Sequence, residues 1–149
     1  MPPDRQKDVA GRDPCRTPMV WRDDEGAGFT ERGVEPWLPI GDRSRNVTAQ
    51  RGDPNSILNL THDLIALRKH RLILSGAYEP VDPPEGVWAF RREGGALVAL
   101  NFGDEDAGLE EVDGAILIAS DRARDEEIVD GVLELGPLEA AIVATAVSG

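Results

Sequence analysis

The sequence predicts a mainly β chain: a C-terminal antiparallel β-sandwich, preceded by a long irregular loop and one amphipathic α-helix. Three observations carry that expectation. From Gly76 onward, apolar residues recur with a period of two in runs of five to eight, divided by turns rich in Gly, Asp and Glu. Within residues 53–71 the period is helical, with Ile57, Leu60, Leu64 and Leu67 three and four apart. Residues 1–52 hold most of the prolines, many glycines and charges, and few periodic apolar runs.

Taken in order, residues 1–52 read as loop punctuated by Pro14, Pro18, Pro36 and Pro39. A loop of about 50 residues is unusual inside a compact domain, so it is expected to wrap a partner body. Trp21, Phe29 and Trp37 would dock into that body as anchors. For the helix of 53–71, Asp53 suits the N-cap and Pro54 the first helical position. Leu58 and Ile65 widen its apolar face, and Arg68, Lys69, His70 and Arg71 favour the carbonyl end of the helix dipole.

Val87–Arg92 and Ala96–Phe102 then form a hairpin across Glu93-Gly94-Gly95. Ala115–Ala119, Gly131–Leu135 and Ala140–Val147 continue the strand series. Tyr78, Trp88 and Phe90 raise a sugar-stacking possibility, but alternating aromatics in a strand are expected to pack into the core.

The net charge of −12 is unevenly placed. Residues 1–71 carry 12 Lys and Arg against 11 Asp and Glu, whereas residues 72–149 carry 4 against 17. The acidic half repels nucleic acid and anionic lipid, so neither is expected as a partner. No apolar run approaches the roughly 20 residues of a membrane span. With Cys15 as the sole cysteine and no secretion signal over residues 1–10, the cytoplasm is the expected setting.

Residues 11–21, Gly-Arg-Asp-Pro-Cys-Arg-Thr-Pro-Met-Val-Trp, resemble the GRDxxRTPMxW segment of exo-acting α-glucosidases in glycoside hydrolase family 13, the α-amylase family. Gly28-Phe29-Thr30, Glu35-Pro36-Trp37-Leu38-Pro39, Asn46-Val47-x-Ala49-Gln50 and Asp53-Pro54-x-Ser56-Ile57-Leu58 follow in the family's order. Trp88-x-Phe90-x-Arg92 and Leu100-Asn101-Phe102 look like its "V-x-A-F-x-R … V-x-x-N-F" hairpin. The resemblance is dense over 11–71, moderate over 72–103 and thin beyond.

The resemblance implies that residues 1–74 are the end of a catalytic (β/α)8 barrel, with loop and final helix, and residues 75–149 the C-terminal β-sandwich. The full-length parent would cleave terminal α-linked glucose from small α-glucosides with retention. The segments bearing its three catalytic carboxylates lie upstream of the matched pieces. This chain is therefore expected to be inactive alone, with the missing catalytic barrel as its partner. A complete barrel needs roughly 250 residues, more than the 149 present. Two alternatives stand beside this reading: a stand-alone carbohydrate-binding or interaction module, and a fragment of a related trehalose synthase.

Among candidate residues, the resemblance assigns Arg12 to recognition of the non-reducing-end glucose. A guanidinium suits that task, offering a rigid fork of donors to hydroxyls or a carboxylate. Arg16-Thr17-Pro18-Met19 reads as architecture, because Pro18 holds Thr17 extended. Cys15 has Arg12 and Arg16 nearby but no histidine partner, so a catalytic thiol is not expected. His62-Asp63 is reminiscent of the family's NHD motif but lies downstream of the RTPM segment and inside the helix, so the role is not transferred. No catalytic residue, metal ligand or cofactor is assigned. The acidic runs Asp104-Glu105-Asp106 and Asp125-Glu126-Glu127 read as solvated turns.

Overall fold

The computed structural model describes residues 13–70 and 74–145. They form two compact units, one ending at Leu58 and the other beginning at Asn59.

The first unit is mostly irregular, with a 3-10 turn at Asp13–Cys15 and a short helix α1 at Val47–Gly52. Its loops are held by polar contacts at motif residues. Asn46 caps α1, its Oδ1 accepting from the Ala49 N–H at 2.8 Å while its Nδ2 donates to the Arg43 carbonyl at 2.9 Å. The Val47 and Thr48 N–H groups, left over at the helix start, donate to the Val20 and Trp21 carbonyls at 3.0 Å. α1 thereby corrects the expectation of unbroken loop to residue 52. Six residues are too few to show a period, so only the cap could have revealed it.

Helix α2 spans Ile57–His70, three residues later than the sequence suggested. Asp53 forms a turn instead of a cap: its Oδ1 accepts from Asn55 N–H at 2.9 Å and its carbonyl from Ser56 N–H at 3.0 Å. Gln50 then does the capping, its Oε1 accepting from the Leu58 N–H at 3.2 Å. Of the apolar positions on α2, Leu67 is buried, whereas Ile57, Leu64 and Ile65 are exposed.

The second unit is an antiparallel β-sandwich. Strands β1 (Tyr78–Pro80), β2 (Val87–Arg92), β3 (Ala96–Asn101), β4 (Ala107–Glu110), β5 (Gly114–Ala119), β6 (Ile128–Val129), β7 (Val132–Leu135) and β8 (Ala140–Thr145) follow in chain order. Six pair in the order β1-β2-β3-β8-β5-β6, and β4 pairs with β7 in a second sheet. Every pairing is antiparallel. The expected β2–β3 hairpin is present, and Gly95 at φ 93° supplies the left-handed residue its three-residue turn requires. The short strands β1, β4 and β6, of two to four residues, escaped the sequence reading.

The sandwich core is aliphatic. Leu97, Ala99, Ile116, Ala141 and Val143 from the larger sheet meet Leu109, Leu133 and Leu135 from the smaller one. Ala89 is the buried residue of β2, and the period of two turns Trp88 and Phe90 to the opposite face. The expectation that Tyr78, Trp88 and Phe90 pack into the core is thus corrected. Tyr78 and Trp88 stay half exposed, and their rings contact Phe90 rather than the interior.

The turn Arg122–Arg124 carries an ion-pair network. Arg124 pairs with Glu127 and with Glu139, each at 2.8 Å, and donates to the Glu134 carbonyl at 2.8 Å. Arg122 pairs with Asp125 at 2.8 Å and with Asp63 of α2 at 2.9 Å. Asp125 and Glu127 are therefore structural partners, not simply solvated charges. Asp104, Glu105 and Asp106 are exposed, as the sequence suggested.

Candidate functional site

The chemistry-bearing motifs of the first unit converge on one cavity of about 270 Å³. Asp13, Arg16, Pro18, Phe29, Pro36, Trp37 and Leu38 line it, each drawn from the GRDxxRTPM, GFT or EPWLP segment. The 3-10 turn sets its charged edge, the Arg16 N–H closing onto the Asp13 carbonyl at 2.9 Å. Pro18 is buried and fixes the extended stretch leading to Trp21.

The aromatic wall is placed by a second loop. The Trp21 N–H donates to the Ala27 carbonyl at 2.8 Å, and the Phe29 N–H to Gly26 at 2.8 Å. Asp24 anchors the loop through the Gly28 N–H at 2.9 Å and through Arg22. The Arg22 guanidinium, aided by the Gly28 N–H, holds the Asp24 carboxyl below its usual range. Gly28, at φ 67°, lies where a Cβ would press on Trp21. Thr30 Oγ1 then donates to the Val34 carbonyl at 2.9 Å, ahead of Pro36 and Trp37.

A carboxylate and a guanidinium beside aromatic and proline surface suit a polyhydroxyl ligand, which has both hydroxyls and apolar C–H faces. Retaining glycoside cleavage needs two carboxyl groups about 5 Å apart. Asp13 is the one carboxylate among the residues lining this cavity.

Arg12, the assigned sugar-recognition residue, lies outside the described residues; its neighbour Asp13 is on the cavity wall. Arg16 and Pro18, read as architecture, line the cavity as well, and so do the expected anchors Phe29 and Trp37. Met19 and Trp21 are exposed, and Cys15 is exposed and unpaired. His62 is exposed on α2, while Asp63 is half-buried and serves the Arg122 contact. Among the described residues no cluster of three or more His, Cys, Asp or Glu side chains could hold a metal ion. None of their helices is long and apolar enough to cross a membrane.

Residues 3–76 match the family model described as the catalytic domain of α-amylase. The oligo-1,6-glucosidase of Parageobacillus thermoglucosidasius is 39% identical over 103 residues, which cover 64% of this chain and 18% of that enzyme. The chain belongs to the α-amylase family. The trehalose-6-phosphate hydrolase of Escherichia coli strain K12 is 43% identical over 86 residues, covering 55% of this chain and 15% of that protein. In three dimensions the chain resembles the trehalulose synthase MutB of Pseudomonas mesoacidophila MX-45, with a TM-score of 0.74 and 31% identity. That likeness covers 89% of this α-amylase family chain and 26% of MutB. The chain thus spans less than a fifth of the length of the curated relatives it matches.

Proposed function

We propose that this chain is the C-terminal portion of a retaining α-glucosidase that releases terminal α-linked glucose from small oligosaccharides. Residues 1–74 complete the end of the catalytic barrel in this reading, and residues 75–149 form the C-terminal sandwich. Arg12 reaches the terminal glucose. The observation that carries the reading is the convergence of Asp13, Arg16, Phe29 and Trp37, from three separate motifs, on one cavity. The nucleophile, acid and stabilising carboxylate belong to a barrel body, so residues 1–149 hydrolyse nothing by themselves. A reducing, cytoplasmic setting suits the exposed Cys15.

A chimera tests this directly. Residues 1–149 replace the matching C-terminal part of the Parageobacillus thermoglucosidasius oligo-1,6-glucosidase, and cleavage of a chromogenic α-glucoside is measured. The chimera is expected to turn over, and the isolated chain to give the buffer rate. Arg12→Ala in the chimera should lower kcat/KM by roughly 10- to 150-fold, the equivalent of one or two charge-assisted hydrogen bonds. Turnover by the isolated chain that disappears in Arg12→Ala would sink the proposal.

A second reading, a fragment of a related trehalose synthase, draws on the likeness to trehalulose synthase. By its resemblance, the Glu35-Pro36-Trp37-Leu38-Pro39 segment favours a hydrolytic glucosidase over a related trehalose synthase. Product analysis of the chimera separates the two: free glucose supports hydrolysis, and a rearranged disaccharide supports the synthase.

A further inference from the structure

We propose that the outer face of β1 and β2 is a stacking platform for a neutral oligosaccharide, separate from the cavity of the first unit. The pairing of Tyr78 with Arg92 and of Pro80 with Phe90 brings β1 and β2 into register. Tyr78, Phe90 and Trp88 thereby share one face as a continuous row, with ring centroids 4.9 and 5.2 Å apart. The outer two rings tilt by 31° and 44° against the central one. Tyr78 and Trp88 are each 48% exposed.

The row has no role in the core, which Ala89 closes from the other face of the same strand. Exposed contiguous aromatics of this kind mark a binding surface. Their polar atoms choose the ligand. Among the described residues, neither the Tyr78 hydroxyl nor the Trp88 indole N–H has a hydrogen-bond partner. An apolar protein surface seated here would bury both groups unsatisfied, which is unfavourable. A pyranose offers C–H faces to the rings and hydroxyls to the O–H and N–H at their edges.

Charge narrows the class further. Residues 72–149 carry 17 acidic against 4 basic side chains, which disfavours nucleic acid, and Arg92, the cation opposite Tyr78, donates its Nε–H to the Leu74 carbonyl at 3.1 Å. Two successive ring-to-ring steps make the row longer than one sugar ring, so it suits a chain of sugars.

The test uses residues 1–149 labelled with 15N and titrated with maltoheptaose, following the three tryptophan indole signals. The Trp88 signal, assigned with Trp88→Phe, should shift saturably at millimolar or tighter affinity. Trp88→Ala should weaken binding at least tenfold, and Tyr78→Phe, which removes only the hydroxyl, two- to fivefold. Ile128→Ser, on the opposite edge strand β6, should leave it unchanged. Trp88→Phe keeps a stacking face and should weaken binding two- to fivefold, which carries the test should Trp88→Ala unfold. A silent Trp88 signal, or binding indifferent to Trp88→Ala and Tyr78→Phe, would overturn the proposal. So would a dimer that Trp88→Ala dissolves and maltoheptaose leaves intact. None of these readouts depends on glycosidase activity, so failure of the chimera would leave them standing.

Discussion

Asn101 shows how a motif residue can act through packing instead of chemistry. It is buried, and its Nδ2 donates to the Glu105 and Gly136 carbonyls at 2.8 and 2.9 Å, while its Oδ1 accepts from the Gly103 N–H at 2.9 Å. One amide thus fastens the β3–β4 and β7–β8 turns together. Asn101→Ala should destabilise the sandwich by about 2–3 kcal/mol, since buried backbone groups lose their partners. Asn101→Asp should cost more, because it turns an acceptor towards the carbonyl oxygens of Glu105, Leu135 and Gly136. Urea midpoints at constant slope are the measurement, and a change below about 0.5 kcal/mol for both variants would refute the role. Asn46 works in the same way in the first unit. The sequence flagged both asparagines as motif members, but no spacing rule reveals which carbonyls a side-chain amide will meet. Asp13 was legible beside Arg12 for the same reason. Its convergence with Trp37 depends on loop geometry that leaves no periodic trace.

Elements were readable where the sequence repeats a spacing. The β2–β3 hairpin, β5, β7, β8 and the body of α2 each repeat a spacing several times, and each lies near where the pattern put it. Strands β1 and β6 and helix α1 are set by caps and partners. The start of α2 moved because Asp53 can satisfy a turn as readily as a helix. The Arg122–Arg124 turn belongs to this class of tertiary decisions, and it makes a stability prediction. Its Glu127 carboxyl is held below the ordinary glutamate value of 4.5, chiefly by the hydrogen bond from Arg124. The Arg124 guanidinium is in turn pushed up by Glu127 against the effect of its burial, and stays charged throughout. A lowered carboxyl value stabilises the fold above the unfolded value, and that contribution fades as pH falls through the folded value. Between about pH 5 and pH 3 the wild type should therefore lose stability, and Glu127→Gln should show a shallower acid slope. Arg124→Ala should cost about 2 kcal/mol at neutral pH, because Glu139, only 11% exposed, loses its cation. Parallel acid curves for wild type and Glu127→Gln would place the acid sensitivity elsewhere.

At the scale of the whole molecule, the two units differ in how they are held. Of the buried hydrophobic residues, the sandwich contains a connected aliphatic cluster, whereas Ala27 stands alone among the described residues up to Leu58. Trp37 is 85% exposed, with Phe29, Met19 and Trp21 about half exposed. Polar contacts hold these loops, but a net contribution of about 1 kcal/mol per hydrogen bond does not offset ordering costs of about 1–2 kcal/mol per residue. The shortage of core matches the proposal that residues 1–74 evolved to cover a barrel body. It follows that native-state hydrogen exchange should be stratified. Amides of β3, β5 and β8, central in the six-stranded sheet, should exchange slowest and report global unfolding. Those of α2 should be intermediate, since Leu67 alone of its apolar positions named above is buried. Amides of residues 13–52 should exchange fastest, apart from local slowing at the Val47 and Thr48 N–H groups bonded to Val20 and Trp21. In the chimera the same stretch should gain protection by orders of magnitude, as the proposed barrel body covers Met19 and Trp21, which lie outside the cavity lining. Uniform strong protection of residues 13–52 in the monomeric chain would contradict a segment that needs a missing body. Unchanged exchange in the chimera would separate the loop from the barrel altogether.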